Sequence, residues 1–328
     1  MTLHYSYAAR LNSFRNGNWG GKKPTTLDLI TRAAQVEGLN AVDVNYPDHL
    51  QSLKQADVKN CLSDNGIQLN GLAMRYYTEP GFKLGAFTHP EKSVRQAAID
   101  LTKRGIDELR ALGGDLMTLW MGNDGYDYSF QADYAALWEA TIDAMAEVAD
   151  HDPKMNISIE YKPNEPRSFA LMPDAATTLL AIKEINRPNL GVTLDFAHVL
   201  YADEMPAYAA TLIARLARLL GVHLNDGYGK RDDGLMTAKV HPLQTLELLV
   251  TLKKIGYQGV IYFDTFPDIT NLNPVAECAA NISTVEALAH IADELSGNVA
   301  LAAATAGQDA VTAQSIINAA VYGARSVH

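Results

Sequence analysis

Short β-like runs recur eight times along this chain, and each is followed by a stretch whose apolar residues repeat with helical periodicity. The runs read as strands are Leu3 to Tyr7, Ala41 to Asn45, Ile67 to Met74, Leu116 to Trp120, Met155 to Ile159, Leu190 to Leu194, Val222 to Leu224 and Gly259 to Phe263. A helix is expected from Thr25-Thr26 to Gly38, then near Leu53 to Leu62, Ser93 to Leu112, Tyr134 to Ala149, Asp174 to Ile185, Tyr208 to Leu220 and Leu243 to Ile255. Strands joined through helices run parallel, and eight such units over roughly 250 residues are what a closed (β/α)8, or TIM, barrel requires. A doubly wound open sheet is the alternative, but it explains the polar strand ends less well. The barrel is expected over residues 1–295, with a C-terminal helical extension over 296–328. That extension holds an Ala-rich tail, Ala300 to Val327, which follows a last helix at Val275 to Ile291 and has no place on a closed barrel.

Active sites of such barrels lie at the C-terminal rim, so the residues that end each strand decide the chemistry. Strand two ends in Asp43 and Asn45, strand three in Arg75, strand four in Trp120 and strand five in Glu160 and Lys162. Strands six, seven and eight end in Asp195, His223 and Asp264, with Asn225 just after His223. Glu160 and Lys162, two residues apart, point to one face, and Pro163 and Pro166 force the chain out of the sheet there. A Glu–Lys pair that only closes the barrel is an equal reading of these two residues by themselves. Glu160, Asp195, His223 and Asp264, however, bring three carboxylates and an imidazole together from four successive strands. Their mutual repulsion in a low-dielectric cleft is relieved by a divalent cation. Oxygen donors with one nitrogen suit Mn²⁺, Mg²⁺ or Co²⁺ better than a structural zinc. Asp232 or Asp233, in the glycine-bearing loop after strand seven, and His198, three residues past Asp195, are candidates for a second ion.

The formal net charge of -11 opposes a surface that tracks nucleic-acid phosphates. Only two cysteines are present, Cys61 and Cys278, without metal-ligand spacing, so a reducing compartment is expected. The N-terminal residues lack the basic and apolar regions of a signal peptide, no apolar run would span a bilayer, and the expected location is cytoplasmic.

Glu160-Tyr161-Lys162-Pro163-Asn164-Glu165-Pro166-Arg167 resembles the Glu-Pro-Lys-Pro-Asn-Glu-Pro-Arg signature of the xylose isomerases, within the wider xylose isomerase-like TIM barrels. Leu119 to Tyr126 is similar to the loop that walls that family's sugar pocket, the stretch from Tyr77 through Arg95 echoes another, and Tyr262 to Pro267 matches the eighth-strand motif. The Glu-x-x-His usual on strand six is Asp195-x-x-His198 here, and His223 stands for an aspartate. With those changes the ligand set resembles that of the L-rhamnose isomerases. Asn45 replaces the ring-opening histidine, with His49 a candidate substitute, and Gly234 replaces one ligand of the second ion.

The resemblance implies a metal-dependent aldose–ketose isomerase acting by hydride shift, with Mn²⁺ the first choice. Glu160, Asp195, His223 and Asp264 would hold one ion, and His198 with Asp232 a second. Lys162, Glu160, His198 and Asp232 would form the reacting set, and Lys162 would donate to the carbonyl oxygen. Asn45, Arg75, Tyr77, Trp120 and Asn225 would contact the sugar, which the lack of a Gly-rich phosphate loop marks as unphosphorylated; an Arg75 contact leaves an acidic or phosphorylated substrate open. A homodimer or homotetramer clasped by the tail is implied as well. The rivals are a sugar 3-epimerase or a carbanion-type lyase, such as the barrel subunit of a C-glycoside-cleaving enzyme with a small partner subunit. An endonuclease-like phosphodiesterase would need a His-rich site and a basic groove, and only nine histidines are spread over this acidic chain.

Overall fold

Eight parallel strands hydrogen-bond around a closed barrel in chain order: β1 (Tyr7–Arg10), β2 (Ala41–Tyr46), β3 (Gln68–Met74), β4 (Leu116–Leu119), β5 (Asn156–Glu160), β6 (Leu190–Asp195), β7 (Leu219–Leu224) and β8 (Ile261–Phe263). The barrel closes where Tyr7 pairs with Ile261 and Ala9 with Phe263. The structure is a computed structural model and describes residues 3–323. Alternation along each strand sends Val42, Val44, Met117, Ile157, Ile159, Val192, Leu194, Val222 and Leu224 outward into a buried layer beneath the helices. The other face lines the barrel with small and polar groups, among them Ala8, Ala41, Ser158 and Thr193, and the Ser158 and Thr193 hydroxyls lie 2.6 Å apart. That face ends at the rim in the ionisable residues.

Local chemistry starts several helices cleanly. The helix Thr26–Ala33 opens on a capping box of Thr25 and Asp28, and Asp133 and Asp174 cap the helices Tyr134–His151 and Ala175–Ile185. Three expectations shift. The first strand is Tyr7–Arg10 rather than Leu3 to Tyr7, because Ala8 and Ala9 are the residues in register with Ala41 and Val42 of β2. The helix expected through Leu220 ends at Leu216, and Leu219 already pairs with Val192 in the sheet. A short helix, Phe196–Tyr201, follows β6 directly, and the Asp195 side chain accepts from the His198 amide at its start.

After β8 the long helix Pro274–Ser296 packs on Pro242–Lys254, and the tail forms the helices Val299–Ala306 and Ala310–Tyr322, the second lying against Pro274–Ser296. The parts of the expected segments at residues 1–2 and 324–328 lie outside the described residues. Among the described residues no helix is long and apolar enough to cross a membrane.

Candidate metal centre and active site

Glu160, Asp195, His223 and Asp264 meet at the C-terminal rim, each offering a ligand atom within 4.8 Å of the others. His223 Nδ1 lies 3.3 Å from Glu160 Oε1 and 3.8 Å from Asp195 Oδ2. Glu160 and Asp195 end their strands, His223 is the last residue but one of β7 and Asp264 directly follows β8, so the barrel's curvature turns the side chains inward together. Asn225 fixes the arrangement from below: its amide donates to both Asp195 oxygens and to the Asp264 carbonyl at 3.2 Å, while its Oδ1 accepts from the Ala197 amide. Burial would raise the Glu160 carboxyl, but the His223 imidazole beside it pulls it down to about 2. Asp195 is pushed up to about 7 by burial, with His198 only partly opposing. Burial would lower His223, yet Glu160 and its neighbours hold it up at about 9. Asp264 Oδ1 is buried without a hydrogen-bond partner among the described residues. Three buried carboxylates around one imidazole, with Asp264 Oδ1 lacking a hydrogen bond, fit a divalent cation, whose charge would offset theirs.

Beside this cluster Lys162, Asp232 and His198 form a chain. Lys162 Nζ lies 3.1 Å from Asp232 Oδ2 and 2.9 Å from Glu165 Oε2. His198 Nδ1 donates to the Tyr161 carbonyl at 3.0 Å, and Nε2 lies 3.2 Å from the same Asp232 oxygen. Burial would lower both cations; Asp195 and Asp232 hold His198 at about 9, and Asp232 and Glu165 keep Lys162 above the usual ammonium value. The two residues expected at a second ion, His198 and Asp232, are thus already bonded to each other, and Asp232 to Lys162 as well. Asp233 turns away, accepting from the Tyr228 amide and pairing with Arg231. Gly234 is glycine for a packing reason, since a Cβ there would stand 2.2 Å from the Phe266 ring.

The cluster and the chain open into one pocket of about 450 Å³, part of it continuous with solvent. Trp120 and Tyr77 form one wall, ring centres 5.2 Å apart, with the Lys162 ammonium 5.1 Å from the centre of the Trp120 ring. Arg167 holds the Glu160 to Arg167 segment against the neighbouring loop by donating to the Asn123 carbonyl and Asp127, and the Lys162 amide donates to the Met172 carbonyl.

A family model described as xylose isomerase-like TIM barrel matches residues 30–290. The chain belongs to that family. A curated relative, the xylose isomerase of Thermus thermophilus, is 27% identical over 212 residues, which cover 63% of this chain and 55% of that protein. The match thus spans little more than half the length of that relative. Among solved structures, a D-tagatose 3-epimerase-like protein superposes with a TM-score of 0.70 at 17% identity, covering 88% of this chain and 98% of the other. The IOLI protein, solved with a zinc atom, superposes with a TM-score of 0.66 at 14% identity, covering 87% and 99%. These two likenesses show a shared fold.

Within this xylose isomerase-like barrel, several residues fall where the strand ends place them and others do not. Arg75, Tyr77, Trp120, Lys162, His198 and Asp232 line the pocket. Asn225, expected to contact the sugar, is fully buried with its amide engaged on the Asp195 carboxylate and the Asp264 carbonyl, so it braces those two residues. Asn45 is buried and does not line the pocket. His49, the candidate substitute for the ring-opening histidine, is buried and does not line the pocket: Nδ1 accepts from the Asn45 amide and Nε2 donates to Asn12. Arg10, Glu165 and Phe266 escaped the sequence reading. Arg10 pairs with Asp268 at 2.8 Å, faces Asp264 at 3.6 Å and stacks on Phe266. A first strand placed three residues later would have put it at the rim.

Proposed function

We propose that this chain is a divalent-metal-dependent sugar isomerase that interconverts an aldose and a ketose. The observation that carries the reading is the junction, in one rim pocket, of a four-strand ligand set with a buried ammonium held by Asp232 and Glu165. An ion held by Glu160, Asp195, His223 and Asp264, with Mn²⁺ the first choice and Mg²⁺ or Co²⁺ next, would supply Lewis-acid polarisation of the sugar's carbonyl and adjacent hydroxyl. Lys162 donates a hydrogen bond to the carbonyl oxygen as negative charge develops on it. Asp232, linked to both Lys162 and His198, takes the hydroxyl proton and returns it to the product's new hydroxyl. Trp120 and Tyr77 pack the sugar's C–H face and exclude water. The carbon-bound hydrogen passes directly between neighbouring carbons, with Asp232 serving the hydroxyl proton and the other carboxylates of the pocket engaged in the ligand set or with Lys162.

A sugar 3-epimerase is the second reading. It is favoured by the superposition on the D-tagatose 3-epimerase-like protein over 88% of this chain; Asp264 after β8 and the pairing of Lys162 with Asp232 count against it. A panel of aldoses and ketoses incubated with the Mn²⁺-loaded protein tests the proposal. Carbonyl migration that stops on chelation supports it, and stereochemical inversion with the carbonyl left in place supports the epimerase.

A further inference from the structure

Resting on that reading, we infer that the sugar is a sugar acid whose carboxylate is received by Arg75. Arg75 follows β3 and its backbone is fixed by the amide's hydrogen bond to the Tyr46 carbonyl at 2.9 Å. Its guanidinium lines the pocket, 5.9 Å from the centre of the Tyr77 ring, on the wall that also carries Trp120. Nε is buried with no acceptor, and the side chain makes no ion pair among the described residues. The neighbouring cations differ. Arg10 is paired with Asp268 and faces Asp264, and Lys162 is paired with Glu165 and Asp232.

A guanidinium whose Nε is buried without an acceptor, while the rest of it lines a pocket without an ion-pair partner, is costly to keep, because the buried donor loses water and gains nothing. Balancing the acidic cluster at a distance explains it poorly: a divalent cation on the cluster would do so, and the Nε donor would still lack a partner. A substrate carboxylate supplies what is missing, two coplanar oxygens for a planar fork of donors. The pocket presents this fork and the ligand cluster to the same molecule, so the sugar's carbonyl end faces the cluster and its acid end faces Arg75. A uronate, an aldose with a terminal carboxylate, has both groups and can still exchange aldose for ketose.

The test uses the full-length, Mn²⁺-loaded protein and matched sets of hexuronate, hexose and hexose 6-phosphate in the gluco, galacto and manno configurations. Binding is measured by calorimetry and turnover by NMR. At least one uronate should bind tenfold or more tightly than its neutral hexose and its 6-phosphate. The uronate-to-hexose affinity ratio should fall about 10²-fold in Arg75→Met, the scale of removing one partner of a buried charge pair. Arg75→Lys, which keeps charge without the fork, should recover part of the ratio, and serves if the Met variant does not fold. Equal affinity for uronate and hexose, a preference for the phosphate, or a ratio unchanged in Arg75→Met overturns the inference. Loss of Mn²⁺ affinity with both sugars weakened alike would reassign Arg75 to balancing the cluster. Uronates bound through Arg75 but not isomerised would sink the isomerase reading while the anion site stands; neutral sugars isomerised with uronates refused would do the reverse.

Discussion

The Lys162 ammonium and the Asp232 carboxylate stand 3.1 Å apart in the wall of the pocket, and the same Asp232 oxygen meets His198 Nε2 at 3.2 Å. Lys162 is therefore held charged and aimed by partners that are themselves fixed. Lys162→Met should lower kcat by about 10²-fold, the scale of losing one preorganised donor to a developing oxyanion, while metal content is unchanged. Steady-state kinetics with metal analysis on the same preparation checks it. A variant that retains full kcat would remove Lys162 from the reaction.

The four-residue cluster makes a stoichiometric prediction. Protein purified without chelator should carry at least one divalent ion per chain, and Glu160→Ala or Asp264→Ala should lose it. Asp232→Asn should keep it, because Asp232 is bonded to Lys162 and His198 rather than placed in the cluster. Ion content that survives in both alanine variants would show that the ligands lie elsewhere.

His49 gives a pH dependence. Burial, with Arg15 and Arg75 adding to it, lowers its pKa from 6.5 to about 3, and both ring nitrogens are bonded in the neutral form. The unfolded chain binds a proton there at higher pH than the folded one. The stability His49 contributes is therefore complete above about 6.5 and is lost as pH falls toward 3. Thermal melts across that range should show a falling Tm, and His49→Gln should flatten this slope while lowering Tm at neutral pH. An identical slope in the variant would mean that other groups set the acid limb.

The tail bears on assembly. The helix Ala310–Tyr322 has no buried residue, and Val299, Val311 and Tyr322 are exposed. A second copy covering this surface would give the dimer or tetramer expected from the sequence. Light scattering should report such an assembly, and truncation before Val299 should reduce it. A monomer, or an assembly indifferent to the truncation, would discard the idea.

Much of the barrel was readable because its signals are local: alternating runs broken by helical periods, and ionisable residues recurring at strand ends. Glu160, Asp195, His223 and Asp264 could be aligned from that pattern alone. What could not be read depends on register and on contacts distant in sequence. Leu3 to Tyr7 alternates like a strand, but pairing with Ala41 and Ile261 selects Tyr7–Arg10, and the shift hid Arg10 from the rim. The roles of Asn225 and His49 rest on partners 30 and 37 residues away, Asp195 and Asn12, which no local pattern encodes. Asp232 and Asp233 are equivalent in sequence and are separated only by the loop's path, which sends one to Lys162 and the other to Arg231.

The most direct test of the proposed reaction is the fate of hydrogen during turnover in D₂O with Mn²⁺, followed by NMR. A direct shift between carbons predicts a carbonyl moved to the neighbouring carbon with no solvent deuterium bound to carbon in the product. Deuterium at C3 with the carbonyl unmoved would contradict the isomerase and establish the epimerase in its place.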